Sequence, residues 1–229
     1  MNRKRVIVTS GGNRQKIDDF RVLTNVSSGA LGAIVAEYML GYAPDFDIDF
    51  VYTRYSQRPE IIGDSYRHKI TLHEVESAQD AFNKLSELVP KADAIVHAMA
   101  VADFGFRKDE TLKLKSDDPQ AFVDYIRDHI IVNPKIISYF RQWNTNPNFY
   151  IVQFKFEINK TLQELTDIAI KSIERNKSNL CIANDKEEMK RTNSHIGHFI
   201  FPDRKIQDFS GKYDIAQGIT NLIKKHFGE

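Results

Sequence analysis

Short apolar runs alternate with longer amphipathic stretches along most of the chain. Positions 5–9, 48–53, 69–75, 94–98, 150–154, 180–183 and 198–201 are rich in Val, Ile and Phe. Several are almost continuously apolar, which is the expectation for strands covered on both faces of a parallel sheet. Between them, 30–40, 78–88, 134–143, 162–175 and 213–226 carry helical periodicity. In 162–175, Leu162, Leu165, Ile168, Ala169 and Ile173 fall at helical spacing, which leaves Lys171 and Arg175 together on another face. Asn133 and Pro134 read as an N-cap followed by a first-turn proline. The alternation predicts an α/β protein with a doubly wound, mostly parallel sheet, in one domain spanning 1–229. The charged stretch around 104–119 has no such period and reads as a loop or flap, a place where compact domains often keep function.

Composition narrows the class. A chain of 229 residues can bury roughly 70% of its unfolded surface. With 41% hydrophobic and 28% charged residues, it is too apolar to be disordered. A net charge of +1 argues against nucleic-acid or anionic-membrane binding through bulk charge. The single cysteine, Cys181, excludes an internal disulfide and any multi-cysteine metal site. No apolar run approaches the ~20 residues of a membrane span. The N-terminus passes directly into a strand pattern without a signal-peptide stretch, so a soluble cytoplasmic protein is expected. The seven histidines show no HExxH or comparable metal spacing.

Five segments carry candidate chemistry. In VIVTSGGNRQKIDDFRVLTNVSSGALG, a strand ends in Ser10-Gly11-Gly12, and Ser27-Ser28-Gly29 with Gly32 opens a helix. Glycines there permit close backbone approach, and a helix N-terminus favours phosphate; a tight turn with an N-cap would look the same. About fifteen residues separate the two glycine clusters. That insertion weighs against a nicotinamide-dependent oxidoreductase, whose G-x-G-x-x-G follows the strand directly. DAIVHAMAVADF brings small side chains and Asp103 to a strand's carboxyl end, where open α/β sheets bind ligands; Asp103 could equally cap a helix. Lys113 and Lys115 in LKLKS share one face of an extended segment and suit polyphosphate charge. YIVQFKFE ends a strand in alternating aromatics and charges. NLCIAND delivers Asn184 and Asp185 to a sheet edge, with Cys181 as a small buried hydrophobe inside it.

Taken in order, TSGGNRQKIDDFRVLTNVSSGALG, HAMAVADF, LKLKS, FKFE and LCIAND resemble the phosphopantothenate–cysteine ligases of coenzyme A biosynthesis. The resemblance runs from Thr9 to Asp185 and accounts for the insertion. It implies a Rossmann-like fold with a flexible flap and a dimerisation element. The implied reaction joins 4′-phosphopantothenate to L-cysteine through an acyl-nucleotidylate. It uses magnesium and a nucleoside triphosphate, CTP more readily than ATP, and no flavin. A homodimer is implied, with a decarboxylase acting on the product as a separate chain. Asn25 and Lys113 take the catalytic positions. Arg21, Asn25, Ala100 and Asp103 fall at substrate positions, Arg21 reaching the site across a dimer interface. Gly12, Ser27, Ser28, Gly29, Gly32, Met99, Asp103, Lys113, Phe154, Lys171, Arg175 and Asn184 fall at nucleotide positions. The chain departs from the family's pattern at Asn13, Gln15, His97, Met99, Ser116 and Gln153. A nucleotide-sensing module on the same fold is the non-enzymatic rival.

Overall fold

The computed structural model describes residues 3–61, 63–107, 114 and 117–228, except for the side chains of 64 and 65. The strands are β1 Lys4–Ser10, β2 Arg14–Lys16, β3 Val22–Thr24, β4 Phe46–Thr53, β5 Ile70–Val75, β6 Ala94–His97, β7 Phe104–Phe106, β8 Ile130–Val132, β9 Tyr150–Glu157, β10 Leu180–Asp185, β11 Ile196–Ile200 and β12 Ile206–Ser210. The helices are α1 Ala30–Tyr42, α2 Asp64–Arg67, α3 Ala78–Leu88, α4 Pro119–His129, α5 Phe140–Trp143, α6 Leu162–Asn176, α7 Lys186–Thr192 and α8 Lys212–Phe227, with 3-10 turns at Val89–Lys91 and Ile136–Tyr139.

An eight-stranded sheet in the order β12-β11-β10-β9-β6-β1-β4-β5 forms the centre. The strands from β10 to β5 are all parallel, and β11 and β12 continue the sheet antiparallel. The parallel part has the strand order of dinucleotide-binding folds, and the chain reverses direction across the sheet between β1 and β6. Strand alternation explains the layers. Val6 and Val8 pack with α1 and α8 on one face, while Ile7 packs with α3 and α5 on the other. Further along, Cys181 and Ala183 meet α6, as Leu180 and Ile182 join the α1–α8 side. Phe50, Phe140, Phe149 and Phe199 are fully buried, and each such side chain contributes about 1.5–3 kcal/mol.

Helix starts follow local chemistry. Ser77 with Asp80, and Thr161 with Glu164, form capping boxes that satisfy the first amides of α3 and α6. The expected helix at 134–143 is not continuous. Asn133 does not cap it: its backbone N–H donates to the Asp103 carbonyl (2.8 Å) and its amide to the Ala102 carbonyl (2.9 Å). Helical structure begins past Pro134, as the 3-10 turn and then the short α5. The stretch around 104–119 is also more ordered at its ends than its sequence suggests. Phe104–Phe106 pairs antiparallel with β8, and Asp118 caps α4 through the Ala121 N–H. Residues 108–113, 115 and 116, including Lys113, Lys115 and Ser116, lie outside the described residues.

Candidate functional site

The site is built where β1 and β6 end side by side. After Ser10, the chain turns through Gly11 at φ 86° and reaches Gly12, which bridges to Ala100. The Ala100 N–H donates to the Gly11 carbonyl (2.8 Å), and the Asn13 N–H donates back to Ala100 (3.2 Å). The inserted segment then folds as the β2–β3 hairpin and brings Asn25 back beside Gly12. The Asn25 amide donates to the carbonyls of Val101 (3.1 Å) and Ala100 (3.4 Å). Residues 75 positions apart thus meet at one strand end.

Close approach explains the glycines. The Ser10 hydroxyl donates to the Gly29 carbonyl at 2.8 Å. A methyl group on Gly32 would stand 2.6 Å from that hydroxyl oxygen and 2.7 Å from its Cβ. Gly29 sits at φ 74° as the N-cap of α1. In contrast to α3 and α6, α1 has no side-chain cap at this residue and no acidic side chain in its first turn. Its positive end faces a cleft of about 520 Å³ lined by Ser27, Ser28, Gly29, Gly32, Met99, Ala100, Phe154 and Asn184.

A neighbouring cleft of about 410 Å³ shares Met99, Phe154 and Lys155 with the first and adds His97, Lys135 and Arg175. The two meet at the β9 strand end, where Phe154 and Lys155 line both. Sequence reading missed Lys135, Lys155, His195 and Lys212. Each looks like an ordinary surface residue until the sheet edge collects it. Burial, with Lys212 nearby, lowers the His195 pKa.

The structure separates other candidates. Lys171 is exposed and lines neither cleft, whereas Arg175, one turn further along α6, lines the second. Asp103 is exposed, lines neither cleft, and pairs with Lys135 at the mouth of the second. Arg21 does not reach the clefts of its own chain. Its guanidinium pairs with Asp18 (2.5 Å), donates to the Leu114 carbonyl (3.2 Å) and lies over the Phe122 ring. Burial works against the Asp18 carboxylate, yet N–H donors from Phe20, Arg21 and Leu114 and the Arg21 side chain hold its pKa below the usual value. Asp185 serves α7 as its N-cap, accepting from the Glu187 and Glu188 N–H groups. Cys181 is fully buried, and burial pushes its thiol up to about 12, so it is no nucleophile. Among the described residues no group of three or more His, Cys, Asp or Glu forms a metal site, and no helix is long and apolar enough to cross a membrane.

A family model described as the DNA/pantothenate metabolism flavoprotein C-terminal domain matches residues 1–227. The chain belongs to this family. It is 33% identical over 230 residues to the coenzyme A biosynthesis bifunctional protein CoaBC of Thermococcus kodakarensis, covering 99% of this chain and 49% of that protein. The CoaBC protein of Methanocaldococcus jannaschii is 28% identical over 222 residues, covering 96% of this chain and 50% of that protein. The chain therefore spans about half the length of the curated relatives it matches. The crystal structure of the DNA/pantothenate metabolism flavoprotein from Streptococcus pneumoniae superposes with a TM-score of 0.81 at 25% identity, covering 98% of this chain and 99% of that one. A Cab2 mutant in complex with phosphopantothenate-cysteine shares the fold, with a TM-score of 0.73 at 19% identity over 99% of this chain and 88% of its own. The doubly wound α/β architecture expected from the sequence is the family's architecture.

Proposed function

We propose that the chain is a phosphopantothenate–cysteine ligase. One observation carries the reading: the β2–β3 insertion places Asn25 against Ala100 and Val101, directly beside the Ser27-Ser28-Gly29 turn and the N-terminus of α1, where the Ala30 N–H donates to the Ser28 hydroxyl (3.3 Å). A carboxylate substrate and a nucleotide phosphate would meet there. The coenzyme A relatives and the Cab2 complex support the substrate class.

In the proposed reaction, a carboxylate oxygen of 4′-phosphopantothenate attacks the α-phosphorus of CTP, in preference to ATP, and pyrophosphate leaves. The cysteine amine then attacks the acyl carbon, a C–N bond forms, and the nucleoside monophosphate departs while the amine loses its proton. No electrons are transferred, so the reaction needs no flavin. The helix end and the Ser27 and Ser28 hydroxyls hold phosphate. Lys113 neutralises charge on the α-phosphate and leaving group, which matters most in the transition state. Asn25 donates to the acyl oxygen while staying neutral. Magnesium would accompany the triphosphate and offset its charge. β4 ends in Tyr52-Thr53 and is followed by Arg54, without the carboxylate that holds a nicotinamide nucleotide's ribose. The product still carries the cysteine carboxylate, which a later decarboxylation can remove.

The test incubates the chain with 4′-phosphopantothenate, cysteine, magnesium and each of four nucleoside triphosphates. Product of the ligated mass, with pyrophosphate, fastest with CTP, is expected. Triphosphate binding without turnover would leave a sensor, and dependence on NAD(P)H would replace the ligase reading.

A further inference from the structure

The second cleft contains a group to which the proposed reaction gives no role. His97, the last residue of β6, is only 9% exposed, and its ring sits edge-on to Phe140 with centroids 5.1 Å apart. Its Nδ1 lies 3.0 Å from the Thr9 Oγ1, and that oxygen also accepts the Met99 N–H at 3.1 Å. Thr9 is fully buried, so its hydroxyl proton needs an acceptor. Among the described residues, His97 Nδ1 is the acceptor in reach. This fixes the tautomer: Nδ1 accepts and Nε2 carries the hydrogen.

Nε2 has no hydrogen-bond partner among the described residues, and His97 lines the cleft of about 410 Å³. Lys155, Arg175 and Lys135 line it too; Lys135 is paired with Asp103 at the mouth, and no carboxylate stands among the residues of the wall. Such a space selects a polyanion. Burial pushes the imidazole pKa down to about 4, so at neutral pH the ring supplies a donor of fixed direction without further charge.

We propose that His97 Nε2–H donates to a phosphate oxygen bound in this cleft, belonging either to the pyrophosphate end of the triphosphate or to the 4′-phosphate of the acyl substrate. The inference rests on the ligase reading for the identity of these ligands. Lysines follow a phosphate wherever it moves, whereas a ring locked by Thr9 and Phe140 sets its position.

The experiment titrates the full chain, His97→Phe and His97→Gln by calorimetry, with sodium pyrophosphate and separately with 4′-phosphopantothenate. His97→Phe is expected to weaken one of the two by roughly tenfold or more, and which one it is identifies the source. His97→Gln, whose amide N–H reaches near the Nε2 position, is expected to restore most of the loss. Histidine ¹⁵N spectra of the unaltered chain give a test that does not depend on how the variants fold. Nδ1 should be unprotonated, and the Nε2–H resonance should shift on adding the ligand that His97→Phe weakens. Unchanged affinity for both ligands in a folded Phe variant, or a proton on Nδ1, overturns the proposal. Both titrations are read without turnover. A chain that binds through His97 yet makes no ligated product would sink the ligase reading alone; normal turnover with unaltered phosphate affinity would sink this one alone.

Discussion

Asn25 shows what one side chain gains from the fold around it. Its amide is held by the Val101 and Ala100 carbonyls, and the longer bond to Ala100 is the one a substrate oxygen would replace. Asn25→Asp sets a carboxylate against those same carbonyl oxygens and removes the donor. Pyrophosphate release should survive, while formation of the ligated product falls by about a hundredfold, the usual cost of losing one preorganised donor. Single-turnover measurement of both products checks this, and equal slowing of the two would refute it. Gly12 supports the same contact from behind. A methyl group there would overlap the Asn25 carbonyl oxygen, so Gly12→Ala should lower kcat/KM and cost about 1–3 kcal/mol in denaturant unfolding. The grouping of Asn25 with the Ser27-Ser28-Gly29 turn was legible as a motif. The gathering of Lys135, Lys155 and His97 around one cleft was not, because isolated residues of these types carry no spacing signal.

At the scale of elements, legibility followed burial. The parallel strands stand out as apolar runs because helices cover both their faces. The sequence reading omitted α4 and α7, and neither has a fully buried residue; α7 is short and polar, and the apolar set of α4, Phe122, Tyr125 and Ile126, is only half-buried and follows directly on the charged 104–119 stretch. Their caps, Asp118 before Pro119 and Asp185 at the end of a strand, were the available signals. The three-residue strands of the β2–β3 and β7–β8 hairpins are too short to show alternation. The antiparallel edge carries a pH-dependent tie. His198 on β11 bonds Asp208 on β12 (2.7 Å) and Glu188 on α7 (2.8 Å). Burial opposes the imidazolium, but the two carboxylates outweigh it and raise the pKa. A pKa raised on folding stabilises fully below the unfolded value of about 6.5 and is lost as pH rises through the folded value. The Tm advantage of the unaltered chain over His198→Gln should therefore be largest at mildly acidic pH and shrink toward alkaline pH. A constant difference across that range would show that the tie is only steric.

For the whole molecule, the telling feature is an apolar ribbon that no described residue covers. Phe104 pairs with Val132 and Phe106 with Ile130 across β7–β8, so all four side chains share one face. Val132 is 77% exposed, Phe104 48% and Ile130 42%. The opposite face is closed, with Gly105 against Gln15 and Asn133. A two-stranded ribbon is marginal in water by itself, and a solvent-facing apolar side calls for a partner. A second copy of the chain would supply one through the same face, as closed two-fold dimers do. Arg21 is tied to Asp18 and Leu114, away from its own clefts, and a dimer would offer it to the other copy's site. Val132→Glu should then sediment as a monomer with unaltered helix content and lose most of its ligase activity. Mixing Arg21→Ala chains with Asn25→Asp chains should recover activity that neither has alone, since one hybrid site keeps both residues. Full activity in a Val132→Glu monomer would remove the dimer from the reaction, and no recovery on mixing verified hybrid dimers would confine Arg21 to its own chain.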